Sequence, residues 1–349
     1  MSLSKLPTLK SLASSLWNVL VPDVDALEER RDARLRASSN LVIPIEPGLY
    51  DALELTGSQI RLVILKPLLR GPPWVTCDLI KTYDGFGQLS CPEYYALSYT
   101  WRYIGHDIET KSILINGREV VIGTNLWYAL YQLSPKTGSL KIWIDALCIN
   151  QKNVEERNSQ VMQMGRIYSE AKRVIVWLGQ EDAQTRQAIK CIEYLANPQP
   201  CRTSEDPSSH VAIIAATLTH FFDRQYWRRV WIVQEVILAK SITIYSGACM
   251  LEWDTFVEAC HHPGDYGISE EMADICLGLI QQSTPAHFER LRADPDKGRT
   301  LMGLLHASQE NNATDTRDMV YGLLGIANDS GFLEVDYDKS PVQLWHDLL

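Results

Sequence analysis

The sequence predicts an α/β protein with a parallel sheet core, an inserted β-hairpin and a mainly helical C-terminal extension. Short apolar runs at 94–99, 141–145 and 173–178 alternate with segments of helical periodicity at 124–133 and 153–171. Strand and helix alternating in this way build parallel sheets with right-handed crossovers. With 349 residues, of which 46% are apolar, the chain can bury the core of one large domain or two ordinary ones.

An N-terminal helical segment is predicted to precede this core at residues 1–40. Apolar residues between 9 and 20 recur at helical spacing, and acidic residues alternate with Arg between 25 and 36. Pro47-Gly48 then interrupts regular structure, so we place a boundary near residue 40.

One further strand and a hairpin are predicted around the first core strand. The apolar run at 59–66 predicts a strand, whereas the Gly- and Pro-rich stretch at 70–92 predicts an irregular insertion. Asn116-Gly117 separates two β-branched runs in 112–122, which indicates a hairpin with a type I′ turn.

Beyond Gly179 the periodicity is mainly helical. Helices are predicted at 183–196, 209–222, 226–239, 253–261, 269–282 and 299–309, with one further strand at 241–245. A last helix begins at Pro341 and runs to residue 349, and we expect it to open a C-terminal region of a longer protein.

Composition excludes several classes of protein. The net charge is −10 with no basic stripe, so we expect no nucleic-acid partner. No apolar run reaches the roughly 20 residues that a membrane span needs. The eight cysteines include no Cys-x-x-Cys pair, which favours free thiols in a reducing cytoplasm. Cys260-His261-His262 lacks ligand partners at a suitable spacing, so no metal site is predicted.

Nucleotide-binding and hydrolase motifs are also absent. The sequence has no P-loop, no Gly-x-Gly-x-x-Gly after a strand, no His-Glu-x-x-His and no Gly-x-Ser-x-Gly. Dehydrogenases, P-loop NTPases, zinc proteases and α/β-hydrolases are therefore disfavoured.

Several segments nevertheless resemble one family, the fungal HET (heterokaryon-incompatibility) domain. They are YALSYTW at 95–101, WIDALCINQ at 143–151 with the matching helix and strand up to Gly179, WRRVWIVQE at 227–235 and DTRDMVYGLLG at 315–325. HET domains usually have Gly where this chain has Arg102. The resemblance implies a HET domain over 41–340.

HET domains are in turn similar to TIR domains, which are flavodoxin-like signalling modules, and some TIR domains hydrolyse NAD. This resemblance implies a TIR-like core at about 93–250 and a helical extension at about 251–340. TIR hydrolases carry a catalytic Glu four residues after a Trp, and Trp231 and Glu235 have that spacing. It implies that Glu235 is catalytic, that NAD is the substrate, and that neither a metal nor a cofactor is needed.

The candidate substrate-binding residues surround the carboxyl ends of the predicted strands, where open α/β sheets bind ligands. Trp227, Trp231 and Glu235 recur every four residues, which predicts one face of a single helix. The remaining candidates follow the first and second core strands, and they are Ser98, Trp101, Arg102, Asp145, Asn150 and Arg157.

Each candidate also has a structural interpretation. Glu235 could be a solvated carboxylate or could pair with Arg228, Arg229 or Arg157, and both Trp227 and Trp231 could pack in the core. Asp145 could cap the next turn or pair with Arg157. Asn150 and Gln151 could satisfy backbone groups of their loop.

The functional expectation is a cytoplasmic cell-death signalling module of heterokaryon incompatibility. It would self-associate, respond to an unidentified regulatory protein and cleave NAD or a related nucleotide at its N-glycosidic bond. The alternative is a non-catalytic oligomerising adaptor, because TIR-like folds often act only through their interfaces. A third possibility is nucleotide sensing without turnover.

Overall fold

The structure, a computed structural model, describes residues 48–72, 74–82, 92–101, 109–197, 207–261, 270–294 and 299–348. The predicted N-terminal segment at 1–40 and the candidate Arg102 lie outside the described residues. The boundaries proposed at residues 40 and 250 stay predictions.

A mixed sheet of nine strands forms the centre of the described chain. The strands are β1 (Arg61–Leu65), β2 (Thr76–Lys81), β3 (Tyr95–Tyr99), β4 (Thr110–Ile115), β5 (Arg118–Gly123), β6 (Leu140–Trp143), β7 (Arg173–Trp177), β8 (Ile242–Ser246) and β9 (Cys249–Glu252). Their spatial order is β5-β4-β2-β1-β6-β3-β7-β8-β9.

The predicted parallel core is confirmed in β6, β3, β7 and β8. Each of these strands runs parallel to the next in that order, while β1 and β9 flank them in the antiparallel sense. When these four strands are numbered by their order along the chain, they lie across the sheet as second, first, third and fourth. β3 and β7 are buried over four consecutive residues, as expected for strands covered on both faces.

The predicted hairpin is confirmed in β4 and β5. Asn116 and Gly117 have φ of 52° and 76°, the left-handed values that a type I′ turn requires. The prediction of an irregular insertion at 70–92 is wrong in part, because β2 forms within it. β2 joins the hairpin to β1, and the Asn116 side chain accepts a hydrogen bond from the Leu79 amide at 2.9 Å.

Twelve helices are described around this sheet. They are α1 (Thr124–Leu133), α2 (Asp145–Cys148), α3 (Val154–Glu170), α4 (Ala183–Ala196), α5 (Pro207–Phe222), α6 (Ile232–Ile237), α7 (Trp253–His261), α8 (Glu270–Gln282), α9 (Thr284–Ala293), α10 (Leu301–Ala307), α11 (Asp318–Leu324) and α12 (Pro341–Leu348). Side-chain caps start several of them, as where Asn153 accepts from the Glu156 amide. None of the helices in the described ranges is long and apolar enough to cross a membrane.

The single helix predicted at 226–239 is wrong. A short 3₁₀ turn at Gln225–Arg228 and α6 occupy this stretch, separated by residues that leave the helical path. The interruption arises because Arg229 forms a parallel β-bridge with Asn312, and the Val230 amide donates to the Asn312 carbonyl at 3.1 Å. Helices α9 and α11 and strand β9 were not predicted from the sequence.

The C-terminal part of the chain packs directly on the sheet-covering helices. α11 contacts both α3 and α6. A Cβ placed on Gly325 would lie 3.0 Å from the Cα of Gly165, so two backbones meet here without side chains between them. Gly325 immediately follows α11, and this close approach fixes α11 against α3.

A buried arginine joins β1 to the segment between α2 and α3. Arg61 is 0% exposed and donates two hydrogen bonds to the Glu156 carboxylate, at 2.6 and 3.0 Å. It also donates to the carbonyls of Leu53 and Cys148, each at 2.9 Å. Its guanidinium lies 4.5 Å from the centroid of the Tyr50 ring. Full pairing of this kind is what makes a buried charge tolerable.

Candidate functional site

Glu235 lies against the carboxyl end of β3, the first of the parallel strands. It is 1% exposed, although it belongs to the short helix α6. The Ser98 hydroxyl donates a short hydrogen bond to its Oε2 atom. The Tyr226 hydroxyl lies 2.6 Å from the same Ser98 oxygen. Glu235, Ser98 and Tyr226 therefore form one buried chain of hydrogen bonds between α6, β3 and the 3₁₀ turn.

Two further residues define the polar surroundings of this carboxyl. The Tyr168 hydroxyl donates to the Leu97 carbonyl at 3.1 Å and also lies within hydrogen-bonding reach of Glu235. Arg229 donates to the Tyr99 carbonyl, and its positive charge acts on Glu235 without a direct ion pair between the two side chains.

Burial dominates the ionisation of Glu235. Removing the carboxyl from water raises its pKa from 4.5 to about 7, against the opposing effects of Arg229 and the Ser98 hydrogen bond. The nearby charge of Asp145 raises the pKa further. The carboxyl thus exchanges its proton near neutral pH, which is the range in which acid–base and electrostatic catalysis are effective.

Asp145 supplies a second carboxyl at the same sheet edge. Its Oδ2 atom accepts from the indole nitrogen of Trp101 at 2.8 Å, and its Oδ1 atom accepts from the Ala146 amide at 2.7 Å. Burial raises the pKa of Asp145 to about 6, although Arg229 and the Trp101 hydrogen bond favour its charged form. Asp145 therefore both starts α2 and fixes the partly exposed Trp101.

The structure brings four of the predicted site residues together: Ser98, Trp101, Asp145 and Glu235. They lie around the carboxyl ends of β3 and β6, beside the point between β3 and β7 where the direction of chain progression across the sheet reverses. Such a switch point is where open α/β sheets form ligand crevices.

The other predicted residues lie elsewhere. Trp227 is fully buried and donates to the Phe221 carbonyl at 3.0 Å, so it packs in the core. Trp231 is adjacent to α6 but interacts with Asp318. Asn150 stabilises its own turn: its backbone N–H donates to the Glu156 carboxylate, and its side-chain oxygen accepts from the Lys152 amide. The Arg157 guanidinium lies 4.1 Å from the centroid of the Tyr337 ring. The expectation that Trp227, Trp231 and Glu235 share one helix face is therefore wrong.

No sequence pattern marks Arg229, Tyr226 or Tyr168 as a site residue. Tyr226 lies just outside the segment at 227–235 that resembles HET domains, and that segment begins with its neighbour Trp227. Arg229 was considered only as a salt-bridge partner. Its role at both carboxyls follows from the β-bridge to Asn312, which no local sequence pattern indicates.

The Glu235 carboxyl is closed to solvent in this arrangement. Two surface depressions lie elsewhere, one beside α3 with Asn158 and Met162, and one beside α1 with Trp127 and Tyr131. Across the ranges that the structure describes, no three His, Cys, Asp or Glu side chains converge on a metal position. A substrate can therefore reach the Glu235 carboxyl only if the Ser98 and Tyr226 side chains move away from it.

Comparisons with known proteins agree with the segments that carry the resemblance. A family model described as "Heterokaryon incompatibility protein (HET)" matches residues 94–235, from the start of β3 to Glu235 itself. No solved structure matches the chain.

Two curated relatives are fungal incompatibility proteins. "Heterokaryon incompatibility protein 6, OR allele" of Neurospora crassa is 26% identical over 312 residues, covering 71% of this chain and 45% of the relative. "Vegetative incompatibility protein HET-E-1" of Podospora anserina is 25% identical over 236 residues, covering 67% of this chain and 14% of the relative. The match therefore spans less than half the length of either relative. Taken with the match at 94–235, these likenesses show that the chain is similar to fungal HET-domain proteins.

Proposed function

We propose that this chain is the signalling module of a heterokaryon-incompatibility response that triggers cell death after self-association. The names of its two relatives support the incompatibility role. In this proposal the exposed surface of the chain contacts other copies of the protein. An unidentified regulatory protein would control this assembly in the cytoplasm. The second, first, third, fourth order of the parallel strands is that of flavodoxin-like folds, which supports a TIR-like core.

The proposed chemistry is hydrolysis of NAD at the bond between ribose C1′ and the nicotinamide nitrogen. The single observation that carries it is Glu235, a buried carboxyl with a pKa of about 7 at the switch point of the sheet. The bond breaks when its electron pair passes to the neutral leaving nicotinamide. The Glu235 carboxylate stabilises the positive charge that develops on the ribose. Water then adds to C1′ and releases a proton, which the carboxylate accepts, giving ADP-ribose.

Neighbouring groups have matching roles in this proposal. The hydroxyls of Ser98 and Tyr226 hold the carboxyl before substrate arrives and yield to the ribose hydroxyls when it binds. Trp101 is partly exposed and anchored by Asp145, so its indole can stack on a base at the mouth of the crevice. Self-association would supply the opening, because Glu235 is covered in the single chain.

A non-catalytic adaptor is the second candidate, and the completeness of the Glu235 hydrogen bonding favours it. The carboxyl already has the Ser98 hydroxyl as a donor, so α6 is fixed to β3 without a ligand. In that case the exposed surfaces alone would carry the signal, through assembly with other HET domains.

The decisive experiment measures nicotinamide release from NAD by concentrated protein with a crowding agent. We expect wild-type protein to release it and Glu235→Gln to lose at least a hundredfold in rate, because one positioned charge contributes about 3 kcal/mol or more to such transition states. The control is Glu193→Gln, which removes an exposed carboxyl from α4. Absence of nicotinamide from wild-type protein that has demonstrably assembled would reject hydrolysis in favour of the adaptor.

A further inference from the structure

A concave surface beside α1 is separate in its residues from the surroundings of Glu235. This aromatic groove is formed by Trp74, Lys111, Trp127, Tyr128 and Tyr131, and its volume is about 390 Å³. That volume falls in the range of small-molecule sites. None of its lining residues belongs to the Glu235 site.

The groove has a rigid aromatic frame. Trp127 forms its floor and is only 6% exposed. The Tyr131 ring stacks on Trp127 at a centroid distance of 5.0 Å and an angle of 18°, and Trp74 meets it edge-on at 6.2 Å. Tyr131 and Trp74 nevertheless remain 43% and 40% exposed. The rings of Tyr131 and Trp74 are thus held in place by Trp127, while part of each ring faces solvent.

A single cation is fixed inside this frame. The Lys111 Nζ atom lies 4.1 Å from the Trp127 centroid and 4.4 Å from the Tyr128 centroid. It is 3.4 Å from the Tyr128 hydroxyl, and no carboxylate among the residues with described positions comes within ion-pairing distance. An ammonium held on ring faces without a carboxylate is available to an incoming anion.

The remaining polar groups of the groove are neutral. Gln132 and Gln180 complete the lining, and neither an Asp nor a Glu is among the residues that the structure describes there. This contrasts with the whole chain, whose net charge is −10. Each glutamine amide offers both donors and an acceptor, which suits the edge of a heteroaromatic ring.

We propose that the aromatic groove binds a nucleoside monophosphate, with its base stacked on the exposed rings and its phosphate paired with Lys111. The exposed faces of Tyr131 and Trp74 accept any base because each base has a π-face. The Lys111 ammonium, which has no carboxylate partner among the described residues, selects the phosphorylated ligand over the free nucleoside. The Gln132 and Gln180 amides contact the base edge or the sugar. This binding needs no turnover at Glu235 and does not rest on the function proposed above.

Calorimetric titration of the full chain with AMP, adenosine and inorganic phosphate tests this proposal. We expect saturable AMP binding, adenosine binding about tenfold weaker, and no measurable phosphate binding, since a charge-assisted contact contributes at least about a factor of ten. Lys111→Met should reduce AMP affinity to that of adenosine. Lys136→Met, an exposed lysine just beyond α1, is the matched control and should bind AMP normally.

Further variants separate binding from folding. Lys111→Arg should keep AMP affinity within about threefold because the charge remains, and Tyr131→Ala should weaken AMP and adenosine alike, by about tenfold, through lost stacking. Circular dichroism verifies that each variant is folded. Glu235→Gln should bind AMP as the wild type does, whatever its hydrolytic activity. The proposal is overturned if wild-type protein shows no saturable AMP binding, or if AMP binds folded Lys111→Met as tightly as wild type.

Discussion

Replacing Glu235 by Gln should change how the stability of the protein depends on pH. The folded-state pKa of this carboxyl is about 7, compared with 4.5 for an ordinary glutamate. Between these two values the folded protein keeps the proton while the unfolded chain releases it. The contribution of Glu235 to the free energy of unfolding is therefore highest below about pH 4.5 and falls as the pH rises through about 7.

The size of this effect follows from the same pKa values. Each pKa unit corresponds to about 1.4 kcal/mol, so ionising Glu235 costs the folded state about 3 kcal/mol at pH 8. Gln has nearly the same shape, can accept the Ser98 hydrogen bond through its amide oxygen, and does not titrate. The variant therefore avoids this loss.

Urea unfolding at pH 5 and pH 8 measures the effect in wild-type protein and in Glu235→Gln. We expect wild-type protein to lose about 2.5 kcal/mol more than the variant between the two pH values, because part of the loss has already occurred at pH 5. Asp145 titrates in both proteins, so its contribution largely cancels in the difference. Glu193→Gln serves as the control, because an exposed carboxyl should leave the wild-type profile unchanged. Parallel profiles for wild type and Glu235→Gln would refute the assignment of a raised pKa to this residue.

Three further predictions test close packing, backbone conformation and a buried ion pair. Gly325→Ala should destabilise the protein by about 1–3 kcal/mol in urea unfolding, because its Cβ would lie 3.0 Å from the Cα of Gly165; an unchanged midpoint would contradict this close approach. Gly117→Ala should destabilise the protein by about 1 kcal/mol and lower its thermal midpoint, because Gly117 has a φ of 76°. Gly278→Ala should raise the thermal midpoint, because Gly278 lies in a helix and a Cβ there meets nothing. Shifts of the same sign for the two variants would contradict this reasoning. Arg61→Met should cost about 3–5 kcal/mol because it leaves a carboxylate buried without its partner. A loss below about 1 kcal/mol for Arg61→Met would show that this buried pair is not needed.

Most of the sheet and its nearest helices could be predicted because their signals are local. β3 and β7 are uninterrupted apolar runs, and α3 begins at the Asn153 cap that its sequence offers. The Asn116-Gly117 turn needs left-handed backbone angles that these two residue types adopt readily. β2 was missed because the Gly and Pro residues around it outweighed the alternation of buried Cys77 and Leu79.

The candidate site could be predicted only in part. Glu235, Ser98, Trp101 and Asp145 were selected from the resemblance and from their positions after the core strands, and the structure places them together. Their companions Arg229, Tyr226 and Tyr168 come from segments whose helical or apolar patterns indicate packing. A residue that serves a site through a long-range contact leaves no periodic signal in its own segment.

The sequence by itself determined the resemblance to HET domains, the parallel pairing of the core strands and the choice of Glu235 as a candidate residue. Apolar periodicity and turn chemistry depend on neighbours within a few residues, so both can be recognised without coordinates. Only the tertiary structure decided that Trp227 enters the core while Glu235 faces Ser98. The physical reason is the backbone bridge from Arg229 to Asn312, which interrupts the expected helix by pairing residues more than 80 positions apart. That bridge places Arg229 beside both carboxyls, and burial then raises their pKa values.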